Sequence, residues 1–304
     1  MAANIPAAAF PRYSDLAPAG SLVAVYEWRC EGHLPDCPEE CSEADEVVVP
    51  RWGAFLREVE GRRVLADPGS ALFFHRGEAY RVRHPVRGGD GGTVFRLAPG
   101  ASAELLEPHA PAAADRPAGR FPVLRVPLEG RAWILHRLAR RAALDPSAPA
   151  LEVEERAIAF LRAVTAEAAR RSGLRRPAPP AERNPLAAEY AARVAEVVAA
   201  RYRERLMLAE VARAVGCSPF HLSRLVTAAG GVPIHRMIVR RRLQDAVELL
   251  LETRQTIAAI ALSVGFASHG HLTDAFRREY GLPPSAVRRL KEWRRRTDSR
   301  PASP

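Results

Sequence analysis

Between residues 20 and 100 the apolar positions fall in short runs, and beyond residue 130 they recur with the period of a helix. Ser21–Trp28, Glu46–Val49, Ala54–Val59, Arg63–Ala66, Ala71–His75, Tyr80–His84 and Thr93–Leu97 are read as strands. Turn-forming residues separate several of them: Asp67-Pro68-Gly69, Gly77-Glu78, and the glycine cluster Gly88–Gly92, which reads as a hairpin loop. In Tyr80-Arg81-Val82-Arg83-His84 the side chains alternate with period two, as in a strand with one wet face. Many short strands at this spacing predict a small barrel or sandwich.

Helical periodicity then takes over. Arg131–Ala143 is predicted as a helix, stopped by Asp145-Pro146. In Leu151–Arg171, Ala157, Phe160, Leu161, Val164 and Ala168 share one face with charge on the other. Two such helices behind a β domain either pack on it or form a dimer seam, and dimerisation is the reading preferred here. Residues 172–184 contain three prolines without apolar periodicity and read as a linker. Asn184-Pro185 then supplies an N-cap and a first-turn proline to a helix striped by Leu186, Tyr190, Val194 and Val197. The predicted organisation is a β-rich sensor domain over 1–130, helices over 131–171, a linker over 172–184 and a helical domain over 185–298.

Within that last domain a pattern occurs twice. Leu208, Val211, Ala212 and Val215 form an apolar stripe followed by Gly216, and Ile257, Ile260, Ala261 and Val264 repeat it, followed by Gly265. Glycine just past a helix is the residue best suited to a left-handed turn. Each glycine is followed by a new helix, capped by Ser218 before Pro219 in one copy and by Ser268 in the other. Leu222, Leu225 and Val226 are the buried set of the first of these helices, and Leu272, Ala275 and Phe276 that of the second. An amphipathic connector over Ile234–Glu252 turns Met237, Leu243, Ala246, Val247 and Leu250 inward and carries the basic cluster Arg240, Arg241 and Arg242. The unit is helix, tight turn, helix, twice.

Charge sharpens the picture. The 304 residues carry a net charge of +10, yet residues 185–304 hold 20 Lys+Arg against 11 Asp+Glu while residues 1–184 hold 25 against 24. A basic helical domain joined to a neutral one points to a polyanionic partner. No apolar run approaches the roughly 20 residues that span a bilayer, and the N-terminal segment lacks a basic region followed by an apolar one. Four cysteines in a chain this long are no disulfide framework, so a cytoplasmic setting is expected. The sequence shows no phosphate-cradling glycine loop, no nucleophile elbow and no HExxH, which favours a non-enzyme. No strand has the paired-histidine spacing that a metal-dependent barrel enzyme needs. His75, His84 and His109 are the histidines placed to line a barrel pocket.

Gly216-Cys217-Ser218-Pro219-Phe220-His221-Leu222-Ser223-Arg224-Leu225 resembles the first helix-turn-helix of the AraC/XylS transcription regulators. Ile257–Phe266 followed by His271–Ser285 resembles the second with its characteristic tail. The resemblance covers about residues 186–290. The upstream β-rich region is similar, less distinctively, to that family's cupin-like effector domain. What this implies is an α+β chain: an N-terminal cupin-like barrel or sandwich with two following helices, then an all-α domain with two helix-turn-helix units. The implied function is a sequence-specific regulator whose two recognition helices read successive major-groove segments; the alternative is a cupin-type enzyme fused to a DNA-binding module. Its implied partners are duplex DNA, a second copy of the chain, RNA polymerase, and an effector that is a metal ion, an oxidant or a small molecule. Met237 and Val287 stand where aromatic or larger apolar residues are common in the family.

By position in that pattern, Phe220, Ser223 and Arg224 in the first copy and His269, Gly270, Thr273 and Asp274 in the second are candidates for base contact. Arg224 leads, because a guanidinium bonds guanine O6 and N7 together. Asp274 either accepts from cytosine N4 or pairs with Arg278 one turn on. Phosphate candidates are Ser218, Ser268, Arg240, Arg254 and Arg277. On the effector side Cys30, His33, Cys37 and Cys41 cluster in a polar, turn-rich segment. Thiolates and imidazole suit Zn or Cu. A Cys37–Cys41 redox switch and free thiols without a role are the alternatives. Cys217, in the turn between helices, is read as packing.

Overall fold

The computed structural model describes residues 12–17, 22–32, 37–85, 88–109, 121–173, 185–222, 225 and 232–289. Strands β1 (Arg12–Ala17), β2 (Val23–Cys30), β4 (Glu46–Trp52), β7 (Ser70–Phe74), β9 (Asp90–Leu97) and β10 (Arg125–Pro127) make a six-stranded sheet in the order β1-β2-β9-β4-β7-β10. Strands β3 (Glu40–Cys41), β5 (Phe55–Val59), β6 (Arg62–Ala66) and β8 (Ala79–Arg83) make a second sheet in the order β3-β8-β5-β6. Trp28, Val48, Leu72, Phe74 and Val94 from the larger sheet pack against Phe55, Val59 and Val64 from the smaller.

The other face of the larger sheet is also covered. After the short helix α1 (Ala101–Leu106), α2 (Arg131–Ala143) and α3 (Ala150–Gly173) bring Trp133, Ala157, Phe160 and Leu161 onto Val47, Val49, Phe73 and Phe95. The rings of Phe95 and Phe160 lie 4.8 Å apart. Burial on both faces explains why every residue of β7 is buried, where a half-wet strand would alternate. The apolar stripe of α3, read from the sequence as a dimer seam, is spent on this packing: Ala157, Phe160, Leu161, Val164 and Ala168 are all buried within the chain. His136 sits in the same layer, fully buried among Phe95, Trp133 and Phe160. Burial first, then Arg137, Arg51 and Arg140, hold its pKa well below the usual range, so the ring is neutral.

The glycine cluster is not wholly a hairpin loop. Gly91 and Gly92 lie inside β9, where a Cβ on Gly92 would fall 2.1 Å from the Val49 carbonyl and 2.2 Å from the Trp28 ring. These glycines make room for tryptophan. Strands β1 and β10 lie outside the segments expected from sequence.

The C-terminal region contains α4 (Pro185–Arg201), α5 (Leu208–Val215), α6 (Ile234–Glu252), α7 (Ile257–Ser263) and α8 (His269–Tyr280), with helical turns also at 219–222 and 284–289. Val194, Val198, Tyr202, Val211, Val215, Leu222 and Ile238 form a core of their own. Leu208, expected in the buried stripe, is 43% exposed because it sits at the first turn, before α5 meets its neighbours. Further along, Leu243, Val247, Leu250, Ile260, Leu272 and Phe276 join the same apolar cluster as the sheet and α2. Polar ties reinforce that junction. Arg137 donates to Glu248, Arg141 Nη1 to the Leu251 carbonyl at 3.1 Å, and Gln244 Nε2 to the Pro68 carbonyl at 3.1 Å. Among the described residues no helix is long and apolar enough to cross a membrane.

Candidate nucleic-acid interface

Two helix pairs are built by the same local devices. α5 begins where the Met207 amide donates to the Glu210 carboxylate at 2.7 Å, and ends at Gly216 with φ +79°. α7 begins where the Thr256 hydroxyl accepts from the Ala259 amide at 3.1 Å, and its last turn runs into Gly265 with φ +93°. At Gly265 a Cβ would also stand 2.6 Å from the Arg203 carbonyl, so both backbone conformation and space demand glycine. After each turn the serine caps the next helix: Ser218 Oγ accepts from the His221 amide and Ser268 Oγ from the His271 amide, each at 3.2 Å.

In the second pair, Leu272, Ala275, Phe276 and Tyr280 turn inward from α8, leaving His269, Gly270 and Asp274 exposed and Thr273 half-buried. Arg277 and Arg278 are exposed at its C-terminal end, and Arg278 Nε donates to the Asp274 carbonyl at 3.3 Å, so of the two alternatives for Asp274 the carboxylate pair with Arg278 is not the bond formed. In the first pair Leu222 and Leu225 are buried while Phe220 is 85% exposed. Its ring is therefore presented, not packed. His221 is exposed and meets the edge of Tyr190 at 5.9 Å. Ser223, Arg224 and Val226 lie outside the described residues.

A helix-turn-helix domain model matches residues 211–290, spanning both pairs. The regulatory protein PocR of Salmonella typhimurium is 33% identical over 89 residues, which is 29% of this chain and 29% of that protein. The transcriptional regulator Rob of the same organism is 35% identical over 88 residues, 29% of this chain and 30% of Rob. The C-terminal region is an AraC-type helix-turn-helix domain. Among solved structures, the DNA-binding domain of AdpA in complex with a target DNA is 26% identical, covers 34% of this chain and 96% of that one, and has a TM-score of 0.31. The chain thus spans about 29% of the length of the first of these relatives.

The basic cluster of the AraC-type domain is not a free phosphate surface. Arg240 pairs with Glu129 and, at 3.5 Å, with Glu279, and its side chain is 14% exposed. Arg242 donates to the Tyr202 carbonyl at 2.6 Å and the Glu204 carbonyl at 2.8 Å, and Arg241 lies 5.3 Å over the Tyr202 ring. The phosphate assignment of Arg240 is corrected accordingly: on the connector α6, Arg240 is held by carboxylates and Arg242 by carbonyls of the chain. Arg254 is exposed. Met237 is half-buried and Val287 fully buried, in keeping with packing roles.

The cysteines are redistributed as well. Cys41 is exposed at the edge strand β3, its thiol 4.0 Å from the Ser42 carbonyl, and His33 lies outside the described residues. Cys30 is buried at the end of β2, in register with Asp90 at the start of β9. Asp90 Oδ2 stands 2.8 Å from His84 Nε2, and His84 Nδ1 stands 3.8 Å from Cys37 Sγ. Burial alone would lower the His84 pKa, but hydrogen bonds to Asp90, Cys30 and Cys37 outweigh it and push it up to about 12. His84 therefore belongs with the thiols, while His75 is buried against Phe121 with ring centroids 5.7 Å apart and His109 is exposed. Cys217 is half-buried in the turn after α5.

Proposed function

We propose that the chain is a sequence-specific DNA-binding transcription regulator, with an N-terminal sensing domain of cupin-like architecture and two recognition helices. The observation that carries this is the repeated unit itself: two serine-capped helices, each following a left-handed glycine, in the part of the chain that holds the positive excess. A recognition helix reads bases through its N-terminal and outward positions. Those positions are Phe220, Ser223 and Arg224 in one unit and His269, Gly270, Thr273 and Asp274 in the other. The serine hydroxyls at the caps together with Arg254 and Arg277 stand for phosphate. A homodimer, an effector and contact with RNA polymerase complete the reading.

The division of the core bears on how such a protein would work. The first unit has its own apolar cluster, whereas the second shares one with the sheet domain. A change in the N-terminal domain would reach α8 through the α2–α6 contact. Binding is tested with Arg224→Ala on a duplex selected by the wild-type chain. Loss of one guanidinium from a base edge is expected to weaken binding by ~5- to 150-fold, about 1–3 kcal/mol, and to relax preference at one base pair. Unchanged affinity and preference would contradict the assignment of the first recognition helix.

A further inference from the structure

We propose that Cys30, His84 and Asp90 form a zinc(II) site at one end of the two sheets. These residues offer ligand atoms that all lie within 4.8 Å of one another, and all three are buried. Cys37 Sγ stands 3.8 Å from His84 Nδ1, the ring nitrogen opposite the Nε2 that faces Asp90, so it braces the imidazole from behind and is no ligand. The three residues come from three places: the end of β2, the residue after β8 and the start of β9. An ion among them would tie the six-stranded sheet to the four-stranded one.

The chemistry of the donors selects the metal. One thiolate sulfur, one imidazole nitrogen and one carboxylate oxygen are ligand types of tetrahedral zinc, with a water in the fourth position, whereas calcium and magnesium need shells of oxygen. The surroundings are built for orientation. Trp28 Nε1 donates to Asp90 Oδ1 at 3.1 Å, which leaves Oδ2 turned toward His84. Outer partners of this kind hold a ligand in place and matter nearly as much as the ligand. The backbone is drawn in tightly as well: a Cβ on Gly89 would lie 2.1 Å from the Cys30 carbonyl. Cys41, close in sequence, is left out on the exposed edge.

The site deepens the sensing role proposed for the N-terminal domain but rests on no step of DNA recognition, so the two readings fail separately. The test is cobalt(II) titration of the reduced, chelator-stripped full chain, followed by zinc(II). One cobalt per chain is expected, with thiolate-to-cobalt charge transfer in the near ultraviolet and the visible bands of a tetrahedral site, bleached by one equivalent of zinc. Cys30→Ser should remove the charge-transfer band, and Cys41→Ser should leave it intact. Trp28→Phe, with wild-type circular dichroism, should weaken binding by ~10- to 100-fold, which keeps the test usable where Cys30→Ser fails to fold. Absence of a charge-transfer band in the wild type would overturn the proposal. So would a band that survives Cys30→Ser, one lost in Cys41→Ser, or cobalt affinity unchanged in Trp28→Phe.

Discussion

Arg137→Ala is expected to lower the stability of the chain by about 3–5 kcal/mol, read as a fall in the urea midpoint. The side chain leaves α2 with 6% of its surface exposed and donates to Glu248 on α6, itself 22% exposed, with Glu252 at 3.9 Å. Burial drives the Arg137 pKa down, countered by Glu248, and burial drives the Glu248 pKa up. Each charge is therefore tolerated because the other is present. Removing only the cation strands a carboxylate in a poorly solvated place, which costs more than the pair itself contributes. The double variant Arg137→Met with Glu248→Leu should recover most of the loss, since a packed apolar pair of similar volume avoids the stranded charge. A single variant within about 1 kcal/mol of wild type would show that the N-terminal domain and the connector helix are not joined here.

Phe276→Ala is expected to cost about 3–5 kcal/mol, by loss of buried ring area and by the cavity left behind. Phe276 is fully buried, stands 4.5 Å from the Tyr280 ring, and shares its cluster with Leu243, Val247, Ile260 and Leu272. Because that cluster continues into Phe95, Trp133 and Phe160, the loss should appear in one transition that includes the sheet domain. Near-ultraviolet circular dichroism, which reports the N-terminal tryptophans Trp28, Trp52 and Trp133, should follow the same denaturation curve as helix content. Two separated transitions would mean that the shared core does not couple the halves. Leu262→Ala is the control: at 65% exposure it should change stability by no more than about 0.5 kcal/mol.

The helical half was legible because its signals are local. The range expected for Arg131–Ala143 and for Ile234–Glu252 is the range observed, since periodicity and stop residues act within a turn or two. Gly216, Gly265, Ser218 and Ser268 punctuate the helices through neighbours a few residues away. What sequence missed depends on distant partners. β1 exists because Arg12 pairs with Arg29, and β10 because Arg125 pairs with Leu72. Gly91-Gly92 looks like a turn until Trp28 and Trp52 are placed over it. The cysteine cluster misled for the same reason: Cys41 is near Cys37 in the chain, while His84 and Asp90 come from strands that only the sheets bring alongside. The available signal was a buried-type strand, β9, opening on an aspartate instead of an apolar residue. Likewise the arginines at 240–242 added to the positive count, but their partners at Glu129, Tyr202 and Glu204 were not readable from α6 alone.

Whether this chain reads DNA sequence through two helices is tested by selecting bound duplexes from a random library with the full 304-residue chain. An enriched site is expected, with two blocks whose centres lie about 10 base pairs apart. Binding to that site should be on the order of 10³-fold or more tighter than to a scrambled duplex at the same salt concentration. A selected pool without a shared sequence, or equal affinity for the selected and scrambled duplexes, would contradict it.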